Sequence, residues 1–157
     1  MAKKRTFREF RQGIFKPLNS DKCLNKTPIV FRSNLELKLF KILDLNENII
    51  KWSSEMVIIP YKKPGPLEKM SRYFVDIYME IKMGNDVKKF IIEVKPEKQT
   101  KPPKYTKKAK QSTVLYANLE WAVNQAKWEQ AKKWASSRNM EFLIITENNI
   151  DFLEGRK

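Results

Sequence analysis

Tyr73-Phe74-Val75-Asp76-Ile77-Tyr78-Met79-Glu80 and its return, Phe90-Ile91-Ile92-Glu93-Val94-Lys95, decide the fold of this chain. Both stretches alternate or run apolar, as strands do. Lys82-Met83-Gly84-Asn85-Asp86 lies between them and carries a turn-forming Gly-Asn pair at its centre. A hairpin symmetric about Gly84 and Asn85, with a loop of either two or four residues, sets Asp76 opposite Glu93. Side chains so opposed stand about 4.5–5.5 Å apart at Cβ, and like charges there repel. Lys95 follows Glu93 by two residues, on the same face and roughly 7 Å along the strand. Two carboxylates and an ammonium held on one patch point to a hard-cation site with a helper cation, which is the chemistry of phosphodiester cleavage.

The flanks of the hairpin supply an α/β frame. Ser33 is a good N-cap for a helix running to Asp44 or Leu45, with Leu35, Leu39, Ile42 and Leu43 as its apolar stripe and Lys38, Lys41 and Asp44 turned away. Residues 49–59 read as one strand ended by Pro60. A basic, Pro-rich loop follows, carrying Lys62, Lys63, Lys69 and Arg72. Pro96 stops the hairpin's second arm, and residues 96–111 form a flexible cationic excursion. A long helix is expected over 117–138 and a last strand over Glu141 to Thr146. The strand–helix–strand unit at 88–146 fits a right-handed parallel crossover. The expected fold is therefore α/β, with a mixed central sheet flanked by helices. Residues 1–32 read as a basic N-terminal arm, 33–150 as a single domain and 151–157 as a charged tail. Part of the arm, where Phe7, Phe10 and Phe15 interleave with basic residues, reads as a short amphipathic helix that docks on the body.

Composition narrows the partners. The net charge is +14 over 157 residues. Such an excess attracts polyanions, nucleic acid first and anionic membrane second. No apolar run approaches the length of a membrane span, and no segment reads as a signal peptide. The single cysteine, Cys23, forms no internal disulfide and reads as an ordinary small residue in a loop. Histidine is absent from the sequence, which excludes imidazole bases, His-ligated zinc and the Ser-His-Asp triad. A metal must then be held by oxygen, as Mg²⁺ or Mn²⁺.

Each candidate has a plainer explanation beside it. Asp76 could be a solvent-facing polar residue, but Asp is disfavoured within strands, and its neighbours Phe74, Val75, Ile77 and Tyr78 are apolar or aromatic. Glu93 and Lys95 could be a solvated pair, yet Ile91 shares their face. Ser33-x-x-Glu36 is a capping box that by itself explains both residues, while Glu36 also borders the buried face of its helix. Lys98, Lys101, Lys104, Lys107 and Lys108 could be a solvated run. Following directly after Lys95, they and Arg72 are candidates for contact with DNA phosphates. Asn124 and Lys127 share one helix face, and packing plus a solvated lysine is their default role.

Arg32-Ser33-x-x-Glu36, Arg72-Tyr73-Phe74-x-Asp76 and Glu93-Val94-Lys95-Pro96 together resemble the PD-(D/E)xK nuclease superfamily. More narrowly they resemble the branch that holds the TnsA endonucleases of transposons and the head completion nucleases of T-even-like phages. The similarity runs from about residue 30 to 147 and takes in Asn124-x-x-Lys127-Trp128 and Phe142-x-x-x-Thr146-Glu147. It implies a restriction-endonuclease-like core. Asp76 and Glu93 would ligate Mg²⁺ or Mn²⁺ with the Val94 carbonyl, Lys95 would act on the attacking water, and Glu36 would be a further ligand. Val75 stands where the pattern usually has proline. The resemblance further implies hydrolysis of double-stranded DNA as an endo- or exonuclease during phage head–tail joining. The setting would be the cytoplasm of an infected bacterium or the virion, with portal or neck proteins as partners and no membrane. The rival readings are a non-catalytic DNA-binding head-vertex adaptor, a TnsA-like transposase subunit and, on charge alone, an RNA binder.

Overall fold

The structure is a computed structural model and describes residues 12–154. The helix read into the start of the basic arm, with Phe7 and Phe10, lies outside the described residues, as do residues 155–157 of the tail. Strands β1 (Gly13–Phe15) and β2 (Ile29–Phe31) pair antiparallel. Ile29, Phe31 and Cys23 are buried, and the Phe15 ring packs at a tilt against Phe40 and Trp52, so this part of the basic segment belongs to the core. Cys23 pairs by its backbone with Trp52.

Helix α1 (Asn34–Leu45) begins where the sequence expects. Ser33 is extended at the N-cap, and its Oγ accepts the Glu36 N–H at 3.1 Å. Leu39, Phe40, Ile42 and Leu43 are buried, but so is Asp44, which helical periodicity turns outward. The Asp44 carboxylate accepts the backbone N–H groups of Leu18 and Asn19 at 2.8 and 3.0 Å. Burial of this carboxylate is compensated by these two hydrogen bonds from a distant segment.

Strands β3 (Ile49–Ser54), β4 (Ile58–Lys63), β5 (Lys69–Phe74), β6 (Ile77–Met83), β7 (Asp86–Val94) and β8 (Glu141–Ile145) form two sheets. The central one runs β3-β6-β7-β8 and the small one pairs β4 with β5. Within the central sheet β7 and β8 are parallel and the other pairs antiparallel, giving the mixed sheet. The β6–β7 turn is the two-residue loop Gly84-Asn85, with Met83 opposite Asp86. Gly84 sits at φ 63°, the left-handed conformation that a tight hairpin turn requires of its first central residue.

Two expected strands are each broken. Residues 49–59 divide at Glu55, and Tyr73 to Glu80 divides at Val75-Asp76. The breaks face each other: three residues, 55–57, lie between the pairs Ser54↔Ile77 and Ile58↔Phe74 where the partner strand has two, 75–76. This is a β-bulge, with Glu55 in the left-handed region at φ 55°. The Glu55 N–H bonds the Asp76 carbonyl and the Val75 N–H bonds the Val57 carbonyl. Pro60 does not end its strand. It lies within β4, opposite Arg72, in a two-stranded sheet whose open edges tolerate a missing N–H. Lys62, Lys63, Lys69 and Arg72 are accordingly strand residues rather than loop residues.

After a short 3-10 helix, Glu97–Thr100, helix α2 (Gln111–Ser136) starts six residues earlier than expected and crosses from β7 to β8. Alternation along the strands divides the core between the two faces of the sheet. Ile77, Met79, Phe90, Ile92 and Val94 pack with α1, Trp52 and Phe31. Ile91 packs with Ala131 and Ala135 of α2 and with Ile59, Tyr61 and Tyr73 of the small sheet. Among the described residues no helix is long and apolar enough to cross a membrane.

Candidate active site

The ladder between β6 and β7 ends at Ile77↔Ile92, so its continuation sets Asp76 across from Glu93, as the turn symmetry requires. The bulge lifts Asp76 out of regular pairing, and its Oδ2 accepts the Val94 N–H at 2.7 Å. Glu93 is 5 % exposed, and both of its oxygens are engaged. Oε1 lies 3.1 Å from Lys95 Nζ, and Oε2 accepts the Tyr73 hydroxyl. Asp76, Glu93, Val94 and Lys95 thus converge at the carboxyl end of β7, where β5 gives way to β6.

Glu36 approaches from α1. Its Oε2 accepts the Arg32 N–H at 2.6 Å, one residue short of the N-cap, in a shifted form of the capping box. Glu36 nevertheless lines a tight cleft with Asp76, Val94, Arg32 and Glu55. Glu55 escapes the sequence reading. Its ion pair with Arg32, 2.6 Å, spans 23 residues and depends on the bulge, and a Glu between two strands carries no signal for either. Tyr73 also escapes it, because its alternation matches a core position and its hydroxyl meets Glu93 only through the packing of one sheet on the other.

The electrostatics are those of buried acids set close together. Burial first, then the Glu93 charge, push the Asp76 carboxyl up to about 8, with Glu36 adding to the rise and the Val94 N–H and Lys95 opposing it. Burial likewise raises Glu36, against the Arg32 N–H. The Tyr73 hydroxyl is raised far above its usual range by burial and then by Glu93, so it stays a donor. Among the described residues these carboxylates do not converge in threes on one metal position.

The cationic residues are spread wider. Lys98 and Lys101 border a groove along α2 with Asn124 and Trp121, and Lys101 pairs with Glu97 at 3.5 Å. Lys104, Lys107 and Lys108 are exposed on the segment leading to α2. Arg72 is exposed beside buried Tyr73, its guanidinium 5.6 Å from the Phe74 ring, and strand alternation turns it away from Glu93.

A mixed sheet between two helices, bearing an Asp across a hairpin from Glu-x-Lys, defines an endonuclease fold of the PD-(D/E)xK class. The chain matches the model of the TnsA-like endonuclease N-terminal domain over residues 46–147 and belongs to that family. It is also 38% identical over 125 residues, 78% of this chain and 81% of the relative, to the head completion nuclease of Enterobacteria phage T4. It is therefore a nuclease by family.

Proposed function

We propose that this protein is a divalent-metal-dependent deoxyribonuclease that hydrolyses phosphodiester bonds of double-stranded DNA at phage head completion. The observation that carries it is the meeting of Asp76, Glu93 and Lys95 at one strand end, with two opposed acids that a binding module has no use for. The donor set fits Mg²⁺ or Mn²⁺: the acids are hard oxygen ligands, histidine is absent, and Asp76 and Glu36 are raised by burial first and by neighbouring carboxylates second, a cost to their charged forms that a cation would offset. Asp76, Glu93 and the Val94 carbonyl would hold the ion, with Glu36 as a further ligand. When bound, the ion neutralises phosphate charge and lowers the pKa of an attacking water.

The protein's own groups do the remaining work. Glu93 keeps Lys95 Nζ beside the site, where the ammonium orients the attacking water and offsets charge gathering on the phosphorus oxygens. The Val94 N–H fixes one Asp76 oxygen and so limits its rotamers. Lys98 and Lys101 bind flanking phosphates without regard to sequence. The reading extends to the host cytoplasm or the virion as the setting and to portal or neck proteins as partners; its support is the similarity to a relative named a head completion nuclease.

The test is cleavage of linear duplex DNA with Mg²⁺ or Mn²⁺, with and without chelator. Asp76→Ala and Glu93→Ala should each lower the rate by on the order of a thousandfold, several kcal/mol of transition-state stabilisation. Wild-type rates in either variant would overturn the assignment. The second reading is a DNA-binding head-vertex adaptor, favoured by carboxylates that already have protein partners. A folded Lys95→Ala protein that still completes heads would support it.

A further inference from the structure

Beside Lys95 lies a second groove, of about 410 Å³, between α2, the end of β4 and the 3-10 helix after β7. Lys63, Lys95, Gln99, Asn124 and Lys127 line it, with Tyr116 and Leu119 on its wall. The lysines around it differ in their partners. Lys62 pairs with Glu68, Lys95 with Glu93 and Lys133 with Glu129, whereas Lys63 and Lys127 enter no ion pair among the described residues. Lys127 Nζ stands 5.4 Å from the centroid of the Tyr73 ring and 5.9 Å from that of Tyr61. Two aromatic faces hold the ammonium by cation–π attraction without neutralising it. One of those rings carries the hydroxyl that donates to Glu93, so Lys127 has a fixed place relative to the cleavage residues.

Two large side chains on one side of the groove are uncovered. Tyr116 is 65% exposed and Leu119 42%, on the first half of α2, which buries little against the sheets. Glu120, the groove's carboxylate, accepts the Tyr116 hydroxyl at 3.0 Å, which holds the phenol in place. Two lysines without an ion pair among the described residues and an exposed aromatic side chain lining one groove match a nucleotide whose base has left its stack.

We propose that this groove is a nucleotide subsite for the strand being cut. Lys63 and Lys127 take a backbone phosphate beside the scissile one, Gln99 and Asn124 add neutral donors, and Tyr116 carries the unstacked base. The subsite rests on the nuclease reading for its place next to the scissile bond. It gives the protein a preference for frayed or single-stranded flanks over fully paired duplex.

The experiment is anisotropy of a short labelled single-stranded oligodeoxynucleotide, in chelator so that nothing is cut. Lys63→Gln and Lys127→Gln should each weaken binding and reduce the slope of log affinity on log salt by about 0.7. Tyr116→Ala should weaken binding about tenfold for the normal oligonucleotide and leave an abasic one of equal length unchanged. Lys133→Gln, on an exposed ion-paired lysine of the same helix, is the control. Equal losses in the control, an unchanged slope in both lysine variants, or equal loss of normal and abasic strands in Tyr116→Ala would overturn the subsite. Binding in chelator is read apart from cleavage. A wild-type protein that binds as described yet cuts nothing with Mg²⁺ would fail the nuclease reading alone.

Discussion

The Tyr73 hydroxyl donates a buried hydrogen bond to Glu93 Oε2, joining the small sheet to the central one at the site where Lys95 meets the same carboxylate. Glu93 is thus held between a neutral donor and a cation, with its plane fixed by both. Tyr73→Phe removes only the hydroxyl and leaves one oxygen of a buried carboxylate without its donor. A stability loss of about 1–3 kcal/mol is expected in urea unfolding. Half-saturating Mg²⁺ for cleavage should rise by about tenfold, the usual effect of losing a partner that orients a metal ligand. Unchanged stability and unchanged metal dependence together would remove Tyr73 from the site.

Asp76 links stability to pH and, in the proposed ligand role, to metal. Its pKa in the folded protein, about 8, lies above its ordinary 3.8. Between those values the folded chain holds a proton that the unfolded chain has released. The stability from this group is complete below pH 3.8 and is lost as pH rises through about 8. Metal-free protein should therefore melt lower at pH 8 than at pH 5, and Mg²⁺ should restore more at pH 8. Asp76→Asn should flatten this pH dependence, raise the metal-free Tm at pH 8 by several degrees at roughly 2–4 °C per kcal/mol, and abolish the response to Mg²⁺. Calorimetry at the two pH values checks it, and an Asp76→Asn protein still stabilised by Mg²⁺ would refute the ligand role.

The parts of this arrangement set by short-range pattern were readable in the sequence. Gly84-Asn85 fixed the β6–β7 register, and with it the meeting of Asp76 and Glu93. Ser33 marked the start of α1, and the apolar run at 141–145 marked the parallel partner of β7. What escaped depends on contacts between distant segments. Asp44 lies at an outward position of its helix but is drawn in by the N–H groups of Leu18 and Asn19. The bulge arises from unequal residue counts on two strands, visible only once their pairing is known. Pro60 looked like a strand end because an open edge cannot be told from a central strand by one residue.

Glu55 lies in that bulge and tests what the bulge is for. It is a non-glycine residue at φ 55°, a conformation costing roughly 1–2 kcal/mol that glycine avoids. Its ion pair with Arg32 is exposed on both sides, 55% and 42%, and such pairs contribute about 0–1 kcal/mol. Glu55→Gly should therefore keep or raise stability. The Arg32 guanidinium, which feels Glu36 and Asp76 as well as Glu55, would then turn to those acids and compete with the metal. Cleavage by Glu55→Gly should need several times more Mg²⁺, and Arg32→Ala added to it should restore the requirement. Wild-type metal dependence in Glu55→Gly would show the pair to be irrelevant to the cleft.

Glu36 has two roles open to it, and two substitutions separate them. Ser33→Ala removes the oxygen that accepts the Glu36 N–H and should cost about 1 kcal/mol. It should leave cleavage close to wild type, since that hydroxyl serves only the helix end. Glu36→Gln keeps an oxygen to accept the Arg32 N–H and removes the charge that burial disfavours. Its stability should match or exceed wild type, while cleavage should fall at least tenfold if the carboxylate reaches the metal directly or through water. Thermal melts beside cleavage rates on the two variants decide the matter. A Glu36→Gln protein that cuts at the wild-type rate would leave Glu36 as a helix cap alone and the metal to Asp76, Glu93 and the Val94 carbonyl.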